Sequence, residues 1–127
     1  MKALTISSIA IIILILSWFL FFTYTENVIN TLCEDINDIT IYNVRNESWD
    51  WAAKSYNDIH DSWERYRIIA NPFISKEDLN SIEYTFERVE NYIESKEKTG
   101  AVNELAFLAK QLYFIYYNEK VTIANII

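Results

Sequence analysis

Residues 3–25, ALTISSIAIIILILSWFLFFTYT, carry no charged side chain, and this run constrains the chain more than any other feature. At 1.5 Å per residue, such a helix spans about 35 Å, and about 20 apolar residues suffice to cross a hydrocarbon core. A cleaved signal peptide is the competing reading, but its apolar core is about 7–15 residues long and ends in a small-x-small site. Here the run is longer and closes on Trp18-Phe19-Leu20-Phe21-Phe22-Thr23-Tyr24, where no Ala-x-Ala pattern can be placed. A lipoprotein signal also fits poorly, because Asn30-Thr31-Leu32 precedes Cys33 without the expected small residue. The expectation is an uncleaved transmembrane anchor over residues 1–25 and one further domain over 26–127.

The flanks set the direction. Lys2 lies before the apolar run, whereas Glu26, Glu34, Asp35 and Asp38 follow it before the first basic residue, Arg45. Positive charge stays on the cytoplasmic side. A single-pass protein of the cell membrane is expected, with a cytoplasmic N-terminus and an extracytoplasmic C-terminal domain. Trp18 and Tyr24 suit the outer half and outer interface of the span, although Trp18 serves equally well as apolar padding.

After residue 25 the chain carries ten Lys and Arg against eighteen Asp and Glu, a net charge of −8. So acidic a surface argues against nucleic acid and against adsorption onto anionic headgroups. One Gly and one Pro in 127 residues disfavour sheets joined by tight turns and favour helices. Cys33 is the only cysteine, which excludes an intrachain disulfide. It is read as a small buried hydrophobe, with an intermolecular crosslink as the alternative.

Periodicity divides the outer domain into four helices at about 26–44, 48–70, 76–97 and 100–117, with a tail over 118–127. Ile29, Leu32, Ile36 and Ile39 recur at 3-4-3 spacing, and no Pro or Gly parts them from the anchor, so the first helix should continue outward from the membrane. Asn46 or Ser48 can cap the second helix, whose face is Trp49, Ala52 or Ala53, Tyr56, Ile59, Trp63, Tyr66 and Ala70, and Pro72 ends it. Asn46-Glu47-Ser48 is also formally a glycosylation sequon, but a helix cap accounts for it. Ser75 and Asp78 form a capping-box pattern ahead of Leu79, Ile82, Phe86, Val89 and Ile93. Thr99 can cap the fourth helix, which carries Ala101, Leu105, Leu108, Leu112 and Ile115. Trp49, Trp63, Leu79, Ile82, Phe86, Val89, Leu105, Leu108 and Leu112 are the expected core. The tail, Val121 to Ile127, alternates partly like a strand and is too short to assign.

Four amphipathic segments with short connections pack as an antiparallel bundle. If the first helix climbs from the membrane, the second and fourth return to it. Phe73, Ile74, Tyr113, Phe114, Tyr116, Tyr117, Val121, Ile123, Ile126 and Ile127 would then gather at the membrane-facing end. That apolar collection is the candidate partner-binding surface, and the competing account is that its rings merely close the core.

Chemistry is sparse. His60 is the only histidine, and a metal site needs several ligands at fixed spacing, so no metal is expected there. Glu83, Glu87, Glu90 and Glu94 form a stripe that could dock a basic partner or collect divalent cations, although a solvated face explains it as well. No nucleophile has a base at a recognisable spacing, and a lone Gly100 cannot form a phosphate loop. Catalytic residues and cofactors are therefore expected to be absent, which argues against an enzyme.

The layout resembles the small membrane proteins of the domain of unknown function 4363 family, found mainly in spore-forming Gram-positive bacteria. The residues that carry the resemblance are the Met-Lys start and immediate anchor, Ser48-Trp49-Asp50-Trp51-Ala52-Ala53, Ser62-Trp63-Glu64, the Ile93 to Thr99 turn and Glu119 to Ile127. The resemblance implies an architecture, an accessory-subunit role and no catalytic residue. Two functional expectations follow. The first is a non-enzymatic helical interaction protein docked on a membrane protein, or on copies of itself. The alternative is a ligand-binding or sensing module with an aromatic-lined helical pocket.

Overall fold

The computed structural model describes residues 1–126, with backbone only for residues 119 and 121–126. Every regular element among the described residues is helical, as the scarcity of Gly and Pro predicts. Helix α1 runs unbroken over Lys2–Arg45, followed by α2 over Trp49–Ala70, α3 over Lys76–Glu94 and α4 over Lys98–Ile126. Each helix packs on the next, and α4 closes back on α1. The result is an antiparallel four-helix bundle from which the apolar first half of α1 projects. That projecting segment is long and apolar enough to cross a membrane.

The bundle begins within the last residues of the apolar run. Phe21, Thr25, Ile29 and Leu32 are the first buried residues of α1, at the i, i+4, i+8, i+11 spacing of one helix face. The expected stripe then breaks. Ile39 is 46% exposed, whereas Thr40 is fully buried. The cause is a π-helical turn over Ile36–Thr40, in which the Ile41 N–H donates to the Ile36 carbonyl five residues back. Such a turn holds one extra residue, so the inward position passes from Ile39 to Thr40, and Ile41 and Val44 follow it into the core. The Thr40 hydroxyl donates to the Asp35 carbonyl at 3.4 Å and pairs with the buried Ser55 hydroxyl of α2.

The connections show how a chain with one glycine makes its corners. After α1, the Ser48 N–H donates to the Asn43 carbonyl and the Glu47 N–H to that of Val44. After α3, Glu97 donates to Tyr92 and Lys96 to Ile93 in the same pattern. Both are Schellman turns, and the left-handed position is held by Glu47 (φ 57°) and Lys96 (φ 56°), where glycine is usual. Ser48 occupies the α2 cap without a side-chain cap bond, and the Asn46 side chain donates back to Tyr42. The α3 cap is as expected, with the Asp78 N–H donating to Ser75 Oγ at 3.2 Å.

Helix α4 departs from expectation at both ends. It starts at Lys98, so Thr99 lies inside its first turn and is not its cap. It continues to Ile126, so residues 118–126 are helix and form no separate tail. No Gly or Pro follows Gly100 to stop it. Gly100 is needed for packing: a Cβ there would lie 2.5 Å from the Tyr92 ring.

The core draws on all four helices. Trp63, Tyr66, Phe86, Ile36, Leu105, Leu108 and Leu112 are among its fully buried members. Eight of the nine expected core residues are buried, and Trp49 lies half-buried against their edge.

Candidate functional site

Two groupings carry recognition chemistry, and the first is the end of the bundle from which the apolar half of α1 emerges. Phe21 stacks on Phe73 of the α2–α3 turn at 4.4 Å between centroids and on Tyr66 at 6.3 Å. Phe22 stacks on Tyr116 of α4 at 5.8 Å. Between these rings, Thr25 and Tyr66 share a buried hydroxyl–hydroxyl hydrogen bond of 2.9 Å. The α2–α3 turn and the second half of α4 therefore meet α1 at the same level, as the antiparallel path requires.

The predicted site residues divide at this level. Ile74 and Tyr116 are half-buried and pack on the core, which makes them packing residues first. Phe73, Tyr113, Phe114 and Tyr117 are exposed. Tyr113 lies within ring-contact range of both Tyr116 and Tyr117. Phe114 points elsewhere, lining a cleft with Asp78, Ser81 and Gln111. The side chains of Val121, Ile123, Ile126 and Ile127 lie outside the described residues. Sequence reading missed Ile68 and Ile69, which are 74% and 49% exposed at the end of α2 and extend the apolar rim. Their signal was two adjacent isoleucines flanking the buried face of α2 at a position where one turn has room for a single inward residue.

The second grouping lies on the α2–α3 seam. His60 Nε2 is 2.9 Å from Glu83 Oε1 of α3 and 3.4 Å from Glu64 Oε1 one turn along α2. The outer oxygen of each carboxylate is held separately. Trp63 Nε1 donates to Glu83 Oε2 at 3.0 Å, and Arg67 Nη2 donates to Glu64 Oε2 at 2.7 Å. Phe86 meets the His60 ring edge-on at 4.9 Å, and Tyr56 stacks beside it at 5.8 Å. Partial burial pushes the Glu83 carboxyl up, but hydrogen bonds with His60, Glu64 and Trp63 outweigh it and hold the group below its usual value. Burial, followed by the nearby Glu90 carboxylate, pushes the Tyr56 phenol well above its ordinary range. Tyr56 donates instead to the Phe86 carbonyl at 3.0 Å.

This arrangement splits the glutamate stripe. Glu83 turns inward, Glu90 accepts weakly from Tyr56 at 3.4 Å, and Glu87 and Glu94 remain solvated. Ligand count in the sequence left His60 without partners, and the fold supplies two. Glu64 was legible as the i+4 neighbour of His60, but Glu83 comes from another helix.

Clefts between helices are shallow and carry little aromatic wall. One of about 430 Å³ is lined by Cys33, Asn37, Ala106, Ala109, Lys110 and Tyr113. Another, of about 210 Å³, lies beside the π-turn with Trp51 as its single ring. The Cys33 thiol donates to the Ala109 carbonyl at 3.6 Å, and burial pushes its pKa up to about 11.

Comparison with known proteins places this architecture. The family described as Domain of unknown function (DUF4363) matches residues 19–126, and the chain belongs to that family. No curated protein and no solved structure matches it. The matched segment begins two residues before Phe21, so it takes in the whole bundle and the last residues of the apolar run.

Proposed function

We propose that this protein is a non-enzymatic, membrane-tethered helical module that docks on a second membrane protein at the outer surface of the bilayer. One observation carries the reading: the apolar segment and the first core helix are a single helix, Lys2–Arg45, with no linker between them. Phe21 lies within the apolar run and is also a core residue stacked on Phe73. A bundle joined to its anchor in this way stands at a fixed height, with Ile68, Ile69, Phe73, Tyr113 and Tyr117 at the bilayer surface. Exposed apolar residues grouped in this manner are typical of interaction sites, and aromatic rings are frequent interface anchors.

The chemistry of the rim favours protein over lipid. The chain carries a net charge of −7, which opposes adsorption on anionic headgroups. A partner crossing the same bilayer meets the rim without paying the full cost of finding it in three dimensions. Lys2 before the span and Glu26, Glu34, Asp35 and Asp38 after it support an orientation with the N-terminus in the cytoplasm and the bundle outside.

The test is photocrosslinking in intact membranes from a photoreactive residue at Phe73 or Tyr113, with Trp51 at the far end as control. The expected result is one adduct with another membrane protein from the two rim positions and none from Trp51. Adducts with lipid alone, or with a second copy of the chain, refute the proposed partner. A reporter fused after Ile127 that is active only in the cytoplasm refutes the orientation.

A further inference from the structure

We propose that His60, Glu64 and Glu83 bind a divalent transition-metal ion of the zinc class across the α2–α3 seam. The three ligand atoms, His60 Nε2 and one oxygen from each glutamate, lie within 4.8 Å of one another. Zinc bonds of about 2.0–2.1 Å in tetrahedral geometry place neighbouring ligand atoms about 3.3 Å apart. The imidazole-to-carboxylate separations of 2.9 and 3.4 Å bracket that figure. Binding therefore requires shifts of only a few tenths of an ångström at the imidazole. An ion at the centroid would replace the direct hydrogen bond between His60 and Glu83.

The surroundings hold the ligands ready. Each glutamate has its outer oxygen tied, Glu83 by the Trp63 indole N–H and Glu64 by the Arg67 guanidinium. Each inner oxygen is thereby directed at the same imidazole nitrogen. Outer partners of this kind orient ligands and tune a metal site. Phe86 and Tyr56 fix the plane of the His60 ring from two sides. Two carboxylates converging on one imidazole form a site that a divalent cation neutralises. The nitrogen ligand selects zinc, copper, nickel or cobalt over calcium and magnesium, which take oxygen. All three ligands are half-buried, so a fourth position is open to water.

This site is independent of the docking rim, and each can fail without the other. The test uses the full chain in detergent, free of any histidine tag and stripped with chelator. Zinc chloride is titrated calorimetrically at pH 8, with calcium and magnesium as controls. One zinc per chain is expected, with a melting temperature that rises with zinc concentration. His60→Ala should abolish that binding. Glu64→Gln and Glu83→Gln should each weaken it by at least about 10-fold, the lower end of what even an outer-shell change costs. Because His60 is the only histidine, its modification by diethyl pyrocarbonate gives a readout that needs no variant. Zinc should slow that modification in the wild-type protein. Equal modification rates with and without zinc, zinc binding that survives His60→Ala, or a preference for calcium would each overturn the proposal.

Discussion

The π-turn in α1 can be tested by removing one residue. If Ile36–Thr40 is an α-helix carrying one inserted residue, deleting exposed Asp38 should restore regular winding. Thr40, Ile41 and Val44 would stay on the inward face. The change gives up the Thr40 hydroxyl bond to Asp35 and regains an ordinary backbone bond, so stability should move by about 1 kcal/mol or less. Deleting exposed Asn30, in the regular part of α1, provides the contrast, because it rotates one side of the helix by about 100° against the other. If the outer side turns, Leu32, Ile36, Ile41 and Val44 leave the core, at about 1.5–3 kcal/mol each. If the inner side turns, Phe21 and Ile29 are lost at about 3–6 kcal/mol together, and the buried Thr25–Tyr66 bond breaks at about 1–3 kcal/mol more. Even the cheaper outcome consumes most of the roughly 5–15 kcal/mol that holds a small domain together. Thermal melts of the full chain in one detergent, followed by the helical circular dichroism signal, should show a cooperative transition for the Asp38 deletion. Its midpoint should lie within about 8 °C of wild type, whereas the Asn30 deletion should show no such transition. Equal damage from the two deletions would refute the insertion account.

Other perturbations have simpler outcomes. Phe86→Ala removes a fully buried ring between Trp63, His60 and Tyr56, and should cost about 3–5 kcal/mol in denaturant melts. Lys96→Gly should stabilise by about 0.5–1 kcal/mol, because a left-handed non-glycine residue costs about 1–2 kcal/mol and glycine gives part of that back in chain entropy; a lower melting temperature would contradict the strain at φ 56°. Cys33, with its thiol pushed up to about 11 by burial, should react slowly with a thiol reagent at pH 8 and rapidly once unfolded. Removing residues 121–127 should leave the melt nearly unchanged and reduce crosslinking from Tyr113, and a large loss of stability would instead assign that segment to the core.

Sequence patterning reached the architecture because most of it is local. An uncharged run of 23 residues, a capping Ser75 and a 3-4-3-4 stripe from Leu79 to Ile93 each declare themselves within a few turns. What stayed hidden depends on contacts between helices. Ile39 fits the apolar stripe better than Thr40 by hydropathy, and only the inserted residue, with Ser55 waiting on α2 to satisfy the Thr40 hydroxyl, reverses the choice. Glu83 read as one of four solvated carboxylates because its partners His60 and Trp63 lie about 20 residues away on α2. Which rung of α3 faces which rung of α2 is set by tertiary packing, and no periodicity within either helix encodes it. The end of α4 was misjudged for a different reason: Val121, Thr122, Ile123 and Ile126 favour strands, yet nothing breaks the helix that precedes them.

Sharing one helix between anchor and core also bears on how so small a domain becomes stable. Starting a helix is costly, because several residues must be fixed before the first hydrogen bond forms. In a bilayer the apolar half of α1 has no alternative to helix, since every backbone group there must be satisfied internally. The outer half, Phe21 to Val44, then grows from an existing turn and requires no new nucleus. Helices α2 and α4 pack directly on that rod and α3 packs on both of them, so under the proposed tethering the anchored helix offers the rest of the bundle a template. The same continuity keeps the rim in place. With Phe21 stacked on Phe73 and Phe22 on Tyr116, the first turn of core is also the turn that fixes both apolar edges relative to the span. Under the proposed tethering, a flexible linker at this point would leave the core intact but release the rim from the membrane surface, whereas a continuous helix secures both.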